Sequence, residues 1–383
     1  MIPYGRQDIR DEDIEAVVSV LRSDFLTQGP EVPRFEAAVA EVAGADHAVA
    51  VNSATSALHI ACLALDLGPD DLLWTSPVTF VASANCGRYC GADVDFVDID
   101  PRTYNMCPER LEEKISRTRR EGGRLPKVLV PVHLTGQSCE MAAIGEIARA
   151  NGIRVVEDAS HAIGGRYRGR PVGECAHSDI AVFSFHPVKI VTTAEGGVAT
   201  TQDPVLADRM ARLRTHGITR SADLMTEETH GPWYYQQLEL GLNYRLTDLH
   251  AALGTRQLER LGAYVAERHH LAERYDVRLA DLPLATPWRH PDTYSAFHLY
   301  VIQLDDPARH RAVFEALRAD GIGVNLHYIP VHLQPYYSAL GFRAGDFPAS
   351  EAYYARAISL PLFPTLTEAD QDRVVDALRR HLG

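Results

Sequence analysis

Lys189 and Asp158 are the two residues whose types and settings point most directly to chemistry. Lys189 closes the stretch Ile180-Ala-Val-Phe-Ser-Phe-His-Pro-Val-Lys189, in which an apolar β-prone run delivers Ser184, His186 and Lys189 onto a loop. A lysine that loses part of its hydration in such a mostly apolar, hydroxyl-dotted setting has a lowered pKa, and a neutral amine suits Schiff-base chemistry. The same side chain can also reach out to water and do nothing. Asp158 ends the apolar run Ile153 to Val156 in Glu157-Asp158-Ala159-Ser160-His161. A carboxylate there is costly unless paired. Its partner is either the helix turn it caps or a protonated heteroaromatic nitrogen. Read together, Lys189 and Asp158 describe a pyridoxal 5′-phosphate (PLP) site: the amine holds the cofactor, and the carboxylate keeps the ring nitrogen protonated so that the ring can take up carbanion electrons.

A phosphate would need a third feature, and the chain offers one. The run His47-Ala-Val-Ala-Val51 leads into Asn52-Ser-Ala-Thr-Ser-Ala57 and a helical pattern through Leu65. Strand, small polar turn and helix N-terminus form an anion-binding geometry. Plain capping by Ser53 or Thr55 accounts for the same residues. The pair Gly196-Gly197 permits a tight return from the lysine loop into a second β-prone run.

The elements that must position these residues follow from periodicity. Helical patterns cover Asp11 to Leu21 and Pro33 to Val42, with the loop Ser23 to Pro30 between them. Strands at 72–76, 94–97, 127–132 and 153–157 then alternate with helices at 79–89, 109–119 and 140–151. Such alternation predicts an α/β fold with a mostly parallel central sheet covered by helices on both faces. Ligands sit beyond the carboxyl ends of such strands. Four polar groups share that address: Ser53 to Ser56, Thr79-Phe80, Asp158 to His161, and Ser184 to Lys189. After a helix through Arg214, the polar segment 219–231 reads as a mobile loop, and 247–275 as one long helical stretch. The domain boundary falls in that region, giving a large domain with an N-terminal arm, 1–245, and a small C-terminal α/β domain, 246–383. The latter is expected to hold strands at 298–304 and 323–328 and helices at 308–320 and 367–382.

Composition narrows the classes of partner. The 383 residues carry a net charge of −13 without a long basic stripe, which argues against nucleic acid and anionic membranes as partners. No apolar run reaches membrane-spanning length, and the opening Met1-Ile-Pro-Tyr-Gly-Arg6 lacks the apolar core of a signal peptide. The six cysteines form neither a Cys-x-x-Cys pair nor a zinc spacing with histidine, so no metal site is expected. The expectation is a reduced, cytoplasmic protein.

Seven pieces carry a resemblance across the chain: Phe25-Leu-Thr-Gln-Gly29, Asn52-Ser-Ala-Thr-Ser-Ala-Leu58, Pro77-Val-Thr-Phe-Val-Ala82, Glu157-Asp-Ala-Ser-His161, Ser184-Phe-His-Pro-Val-Lys189, Glu195-Gly-Gly197 and Asn243-Tyr-Arg245. In order, spacing and chemistry the chain resembles the DegT/DnrJ/EryC1/StrS family of sugar-nucleotide aminotransferases, a fold-type I PLP group. It departs at Ile190, where many members carry asparagine after the lysine. The resemblance implies that Lys189 binds the cofactor and shuttles a proton, that Asp158 pairs with the pyridine nitrogen, and that His161 lies near the phenolic oxygen. It also implies that Phe80 stacks on the ring with Ala159 beneath it. Ala54, Thr55 and Ser184 would hold the phosphate, and Asn243 would reach the phosphate of a neighbouring subunit, making a homodimer with shared active sites.

Within the family, Ile2 to Gln7, the Ser-Asp-Phe-Leu-Thr-Gln-Gly stretch, Thr192 to Gly197 and Val324 to His332 are most similar to the aminotransferases of pseudaminic acid biosynthesis. That implies transfer of an amino group from L-glutamate to C4 of UDP-2-acetamido-2,6-dideoxy-β-L-arabino-hex-4-ulose. Tyr4, Asp24, Phe25, Leu26 and Thr27, with His327, Tyr328, Ile329 and Pro330, would contact the sugar nucleotide. On residue chemistry alone Tyr4 also reads as an N-terminal anchor, and His327-Tyr328 as domain packing. Another nucleotide-linked keto sugar, or a PLP-dependent sugar dehydratase on the same fold, remains an alternative. Dehydratases of the family carry histidine in place of the lysine, so Lys189 favours aminotransfer.

Overall fold

The computed structural model describes residues 1–383. Its centre is a seven-stranded sheet of β1 (His47–Val51), β2 (Leu72–Thr75), β3 (Asp93–Phe96), β4 (Val128–Val130), β5 (Arg154–Asp158), β6 (Ile180–Ser184) and β7 (Gly197–Thr201). The strand order is β1-β7-β6-β5-β4-β2-β3. β2 pairs in parallel with β3 and β4, β4 with β5, and β5 with β6, while β7 runs antiparallel to both β6 and β1. Strands so placed are buried on both faces and read as apolar runs; Val128, Leu129 and Val130 are all fully buried.

The reversed strand has a direct consequence for the site. Gly197 opens β7 opposite Val51, which ends β1, and Ser184, which ends β6. The turn after β1 and the loop after β6 are therefore neighbours at one edge of the sheet, although some 130 residues separate them. A Cβ at position 197 would lie 2.4 Å from Ala54 N and from the Ser53 carbonyl carbon, so the turn can sit there only over glycine.

Helix ends follow local chemistry. Pro108 and Pro204 occupy first-turn positions, Thr247 and Thr367 accept backbone N–H bonds as caps, and Gly44 ends the helix Glu31–Ala43 in the left-handed conformation. The buried Asp248 carboxylate accepts from the N–H groups of Gly29, Glu31 and Val32, tying the 24–30 loop to the helix Asp248–Leu258. The N-terminal helix Asp11–Leu21 is pinned through the buried Asp13, which takes Arg260 Nη2 at 2.6 Å and Gln257 Nε2 at 2.9 Å.

Two expectations need correction. The stretch 247–275 is two helices, Asp248–Leu258 and Leu261–Leu279, broken at Glu259-Arg260; Arg260 is held there by Asp13 and by the Tyr264 hydroxyl. Residues 323–328 form no strand. That segment makes single bridges only, Ile322 to Ile2 and Asn325 to Ser359, because the place beside Tyr300–Leu304 is taken by the strand Ala357–Leu360. Periodicity gave no warning of that strand.

The C-terminal sheet, Leu284–Ala285, Tyr300–Leu304 and Ala357–Leu360, is covered by the helices His310–Ala319 and Glu368–Leu382. The helix Leu261–Leu279 belongs to two cores. Leu261, Tyr264 and Val265 pack with Phe185 and Ile163 beside the large sheet, and Leu271, Tyr275 and Leu279 pack with Tyr300 and Val374. Ile2 packs in the second core as well, so the N-terminus crosses to the C-terminal part. We propose the division 1–245 and 246–383, with this helix as the shared strut.

Candidate active site

One cavity of about 420 Å³ opens at the carboxyl edge of the central sheet. Ala54 and Thr55 enter it from the turn after β1, Phe80 from the turn after β2, Asp158 and His161 from the end of β5, and Ser184 and Lys189 from β6 and its loop. Tyr4, His327 and Tyr328 close the opposite side. Ten of the residues singled out by sequence thus meet in one place, from six separate segments.

The turn after β1 serves both of its readings. Ser53 caps the helix Ala54–Ala64, accepting from Ser56 N at 3.1 Å, and the Ser56 hydroxyl donates to Asn52 Oδ1 at 2.6 Å. The first N–H groups of that helix have no intrahelical acceptor and point toward an anion-favouring end of the dipole. Phe80 precedes the helix Ala82–Tyr89, which starts three residues later than periodicity suggested, and the residue is 57% exposed where it lines the cavity.

Asp158 is 5% exposed and firmly oriented. Ser83 Oγ donates to its Oδ2 at 2.6 Å, and Ser160 N donates to its Oδ1 at 3.1 Å. Thr79 Oγ1 lies 2.6 Å from Ser83 Oγ, so the turn that presents Phe80 also braces the carboxylate. Ser83 was not singled out by sequence. Its place in the first turn of the helix that follows Thr79-Phe80 is the signal that could have found it.

Burial pushes the Lys189 ammonium down to about 8, against the opposing pull of the Asp158 carboxylate. His161 is held well below the ordinary histidine range by burial, then by the charge of Lys189 and by His327. Thr135 N donates to His161 Nδ1 at 3.3 Å, which assigns the ring proton to Nε2, 3.1 Å from the Tyr328 hydroxyl. His161 thus donates to Tyr328, and burial followed by the Asp158 charge keeps the Tyr328 phenol protonated. Its own proton is free to face the cavity. Burial also drives His327 down to about 3; its Nδ1 lies 2.8 Å from Ser359 Oγ, and Tyr4 packs on its ring at 5.2 Å. Tyr4 arrives because Leu362 N donates to its carbonyl; anchor and cavity wall are one arrangement.

Other selected residues lie elsewhere within the chain. Ala159 is fully buried behind the cavity, in the core with Phe183 and Phe185. Ile190, the departure from the family pattern, packs in the same core. Asp24, Phe25, Leu26 and Thr27 are exposed, and Phe25 borders a second cavity against Thr255 and Arg256. Asn243 is exposed and bridges Thr215. Ile329 is exposed and Pro330 buried, and neither lines the main cavity. Conversely, His186, Glu195, His298 and Asn325 line it without having been assigned substrate or cofactor.

The donor set fits PLP: a buried, fixed carboxylate, a lysine whose pKa is lowered to about 8, an exposed aromatic face, and a helix N-terminus over Gly197. Comparison with known proteins agrees. The family model of the DegT/DnrJ/EryC1/StrS aminotransferases matches residues 7–379. The spore coat polysaccharide biosynthesis protein SpsC of Bacillus subtilis is 40% identical over 99% of this chain and 96% of its own. Spr1654 of Streptococcus pneumoniae in its PMP form superposes with a TM-score of 0.91 at 29% identity, covering 100% of this chain and 99% of that one. Helicobacter pylori PseC, an aminotransferase involved in the biosynthesis of pseudoaminic acid, gives 0.90 at 29% identity, covering 100% and 99%. With lysine and aspartate delivered to one cavity on that shared fold-type I frame, the chain belongs to the DegT/DnrJ/EryC1/StrS family and is a PLP-dependent sugar aminotransferase.

Proposed function

We propose that the enzyme transfers the amino group of L-glutamate to C4 of a UDP-linked 4-keto-6-deoxy-N-acetylhexosamine, UDP-2-acetamido-2,6-dideoxy-β-L-arabino-hex-4-ulose, as in pseudaminic acid biosynthesis. The observation that carries the reading is the single cavity in which Lys189 and Asp158 face Tyr4, His327 and Tyr328. Bound PLP supplies an electron sink for a carbanion at the substrate carbon. Lys189 would hold the cofactor through Nζ, and its lowered pKa would let the same nitrogen, once released, accept a proton from a substrate carbon and return it. Asp158, fixed by Ser83 and Ser160, holds the proton of the ring nitrogen. Phe80 would cover the ring, Ala159 would back it from the core, and Ala54, Thr55 and Ser184 would take the phosphate. His161 would lie near the phenolic oxygen, and the Tyr328 hydroxyl that it orients keeps its own proton for an acceptor in the cavity. Tyr4, His327 and Tyr328 form the sugar-nucleotide side, with Ile329 and Pro330 shaping the loop that carries them.

Asn243 and the 24–27 loop lie away from this chain's cavity, which supports a homodimer in which they serve the partner's site. Large apolar side chains are exposed on the segment leading to Asn243, among them Trp233 at 73% and Leu240 at 86%; a partner would cover them. All six cysteines are buried and unbridged, which supports a reducing, cytoplasmic location. No helix is long and apolar enough to cross a membrane.

A second reading, another nucleotide-linked keto sugar, draws support from the 40% identity to a spore coat polysaccharide protein, higher than the 29% to PseC. The test is incubation with a panel of UDP- and dTDP-linked 4-keto sugars and L-glutamate, read by mass and by NMR at the aminated carbon. The expected product is UDP-4-amino-4,6-dideoxy-N-acetyl-β-L-altrosamine. Turnover of a different sugar with none of this one would assign the second reading.

A further inference from the structure

One polar wall of the cavity is unused by the roles above. His298 borders the cavity and is 4% exposed. Its ring lies 4.4 Å from that of His161. Its Nδ1 is enclosed and has no hydrogen-bond partner in the protein. A buried N–H without an acceptor is rarer than a buried acceptor left unpaired, so the ring proton is assigned to Nε2, the nitrogen left to face the cavity. The ring is neutral, through burial first and then the neighbouring His161, Lys189 and Arg268. His298 therefore offers the cavity an N–H.

Behind it stands Arg268, 1% exposed. Its Nη1 donates to the carbonyls of Phe297, His298 and Leu362 at 3.1, 3.2 and 2.9 Å, and its Nε has no partner. Carbonyls rather than carboxylates surround this guanidinium, and burial alone lowers its pKa, to about 10. A buried cation without a compensating anion is expensive, and an arriving anion would relieve part of that cost. The frame that holds the wall is built. A Cβ at Gly136, where φ is +109°, would lie 2.8 Å from Phe297 N, 2.9 Å from His161 O and 3.0 Å from His298 N. Only glycine lets the two histidine-bearing turns meet. Within this chain, Lys189 is the sole lysine or arginine lining the cavity, and the cofactor takes it. An amino-acid donor brings at least one carboxylate and finds no arginine of this chain lining the cavity.

We propose that His298 receives the α-carboxylate of the amino-acid donor, its Nε2–H donating to a carboxylate oxygen while Arg268 behind it supplies favourable positive potential. The proposal rests on the aminotransferase reading and names the donor's contact, which that reading leaves open.

The test uses the PLP-loaded enzyme and the variants His298→Phe, which keeps a ring without N–H, and His298→Gln, which restores an N–H at the same reach. The donor half-reaction is followed by loss of the visible cofactor band with L-glutamate and with 4-aminobutanoate, which is L-glutamate without its α-carboxylate. His298→Phe is expected to lower kcat/KM for L-glutamate about tenfold or more, to leave 4-aminobutanoate unchanged, and to be partly rescued by His298→Gln. Calorimetric binding of glutarate should weaken by a similar factor in His298→Phe, with an unchanged melting temperature. Equal losses for both amines, or unchanged glutarate affinity, would overturn the assignment. If another amino acid discharges the native enzyme and L-glutamate does not, the donor reading fails, and the same comparison is made with that amino acid and its decarboxylated amine. If no amino acid discharges it, the carboxylate site falls together with amino-acid-driven aminotransfer.

Discussion

The protonation of Lys189 can be measured directly on the cofactor-free protein. Burial lowers its pKa from 10.5 to about 8, with Asp158 pulling the other way. At pH 7 a group titrating near 8 is neutral in about one molecule in eleven, and an ordinary lysine in about one in three thousand, so the site gains about 300-fold in reactive amine. Trace acetylation with acetic anhydride, read at Lys189 by peptide mass spectrometry against exposed lysines, gives the midpoint. Labelling should rise with pH and level off above about 9. Asp158→Asn removes the influence that raises the value, so its midpoint should lie lower still. The sign for stability follows: the unfolded chain binds the extra proton between about 8 and 10.5, and this group's contribution to stability grows as pH rises through that window. A native midpoint near 10.5, or an Asp158→Asn midpoint equal to or above the native one, would refute the electrostatic account of the site.

Two further outcomes follow from the geometry and a third from the proposed homodimer. Gly197→Ala places a methyl 2.4 Å from Ala54 N, which must displace the turn after β1; PLP affinity should fall sharply with a stability loss of ~1–3 kcal/mol, measured by cofactor titration and thermal melts. Ser83→Ala removes a 2.6 Å bond to the buried Asp158 carboxylate and should cost ~1.5–3 kcal/mol, with slower discharge of the cofactor band by L-glutamate; unchanged melting and discharge would mean that Ser160 alone orients the carboxylate. Mixing Lys189→Ala with Asn243→Ala subunits should yield heterodimers with one intact site and activity above either parent, whereas no recovery would place Asn243 in its own subunit's site.

The chain's local order determined a great deal by itself. Apolar runs of strand length alternating with helical periods announce the parallel sheet, and the polar residues at 53–56, 79–80, 158–161 and 184–189 announce its carboxyl edge, because both signals are written in neighbouring residues. Lys189 and Asp158 were legible for the same reason: each ends or follows an apolar run. What only the tertiary structure decided is whatever depends on contacts between distant segments. The reversal of β7, which sets Gly197 between Val51 and Ser184, depends on pairing between segments about 146 residues apart. The strand Ala357–Leu360 displaces the expected 323–328 strand because sheet edges are filled by competition that no local period records. His298 sits in an apolar-looking run, and its partnership with His161 and Arg268 arises where two turns meet over Gly136 beside the helix that carries Arg268. Burial does the rest: a lysine's pKa and a histidine's unpaired nitrogen are set by the neighbours that exclude water, and those neighbours come from every part of the chain.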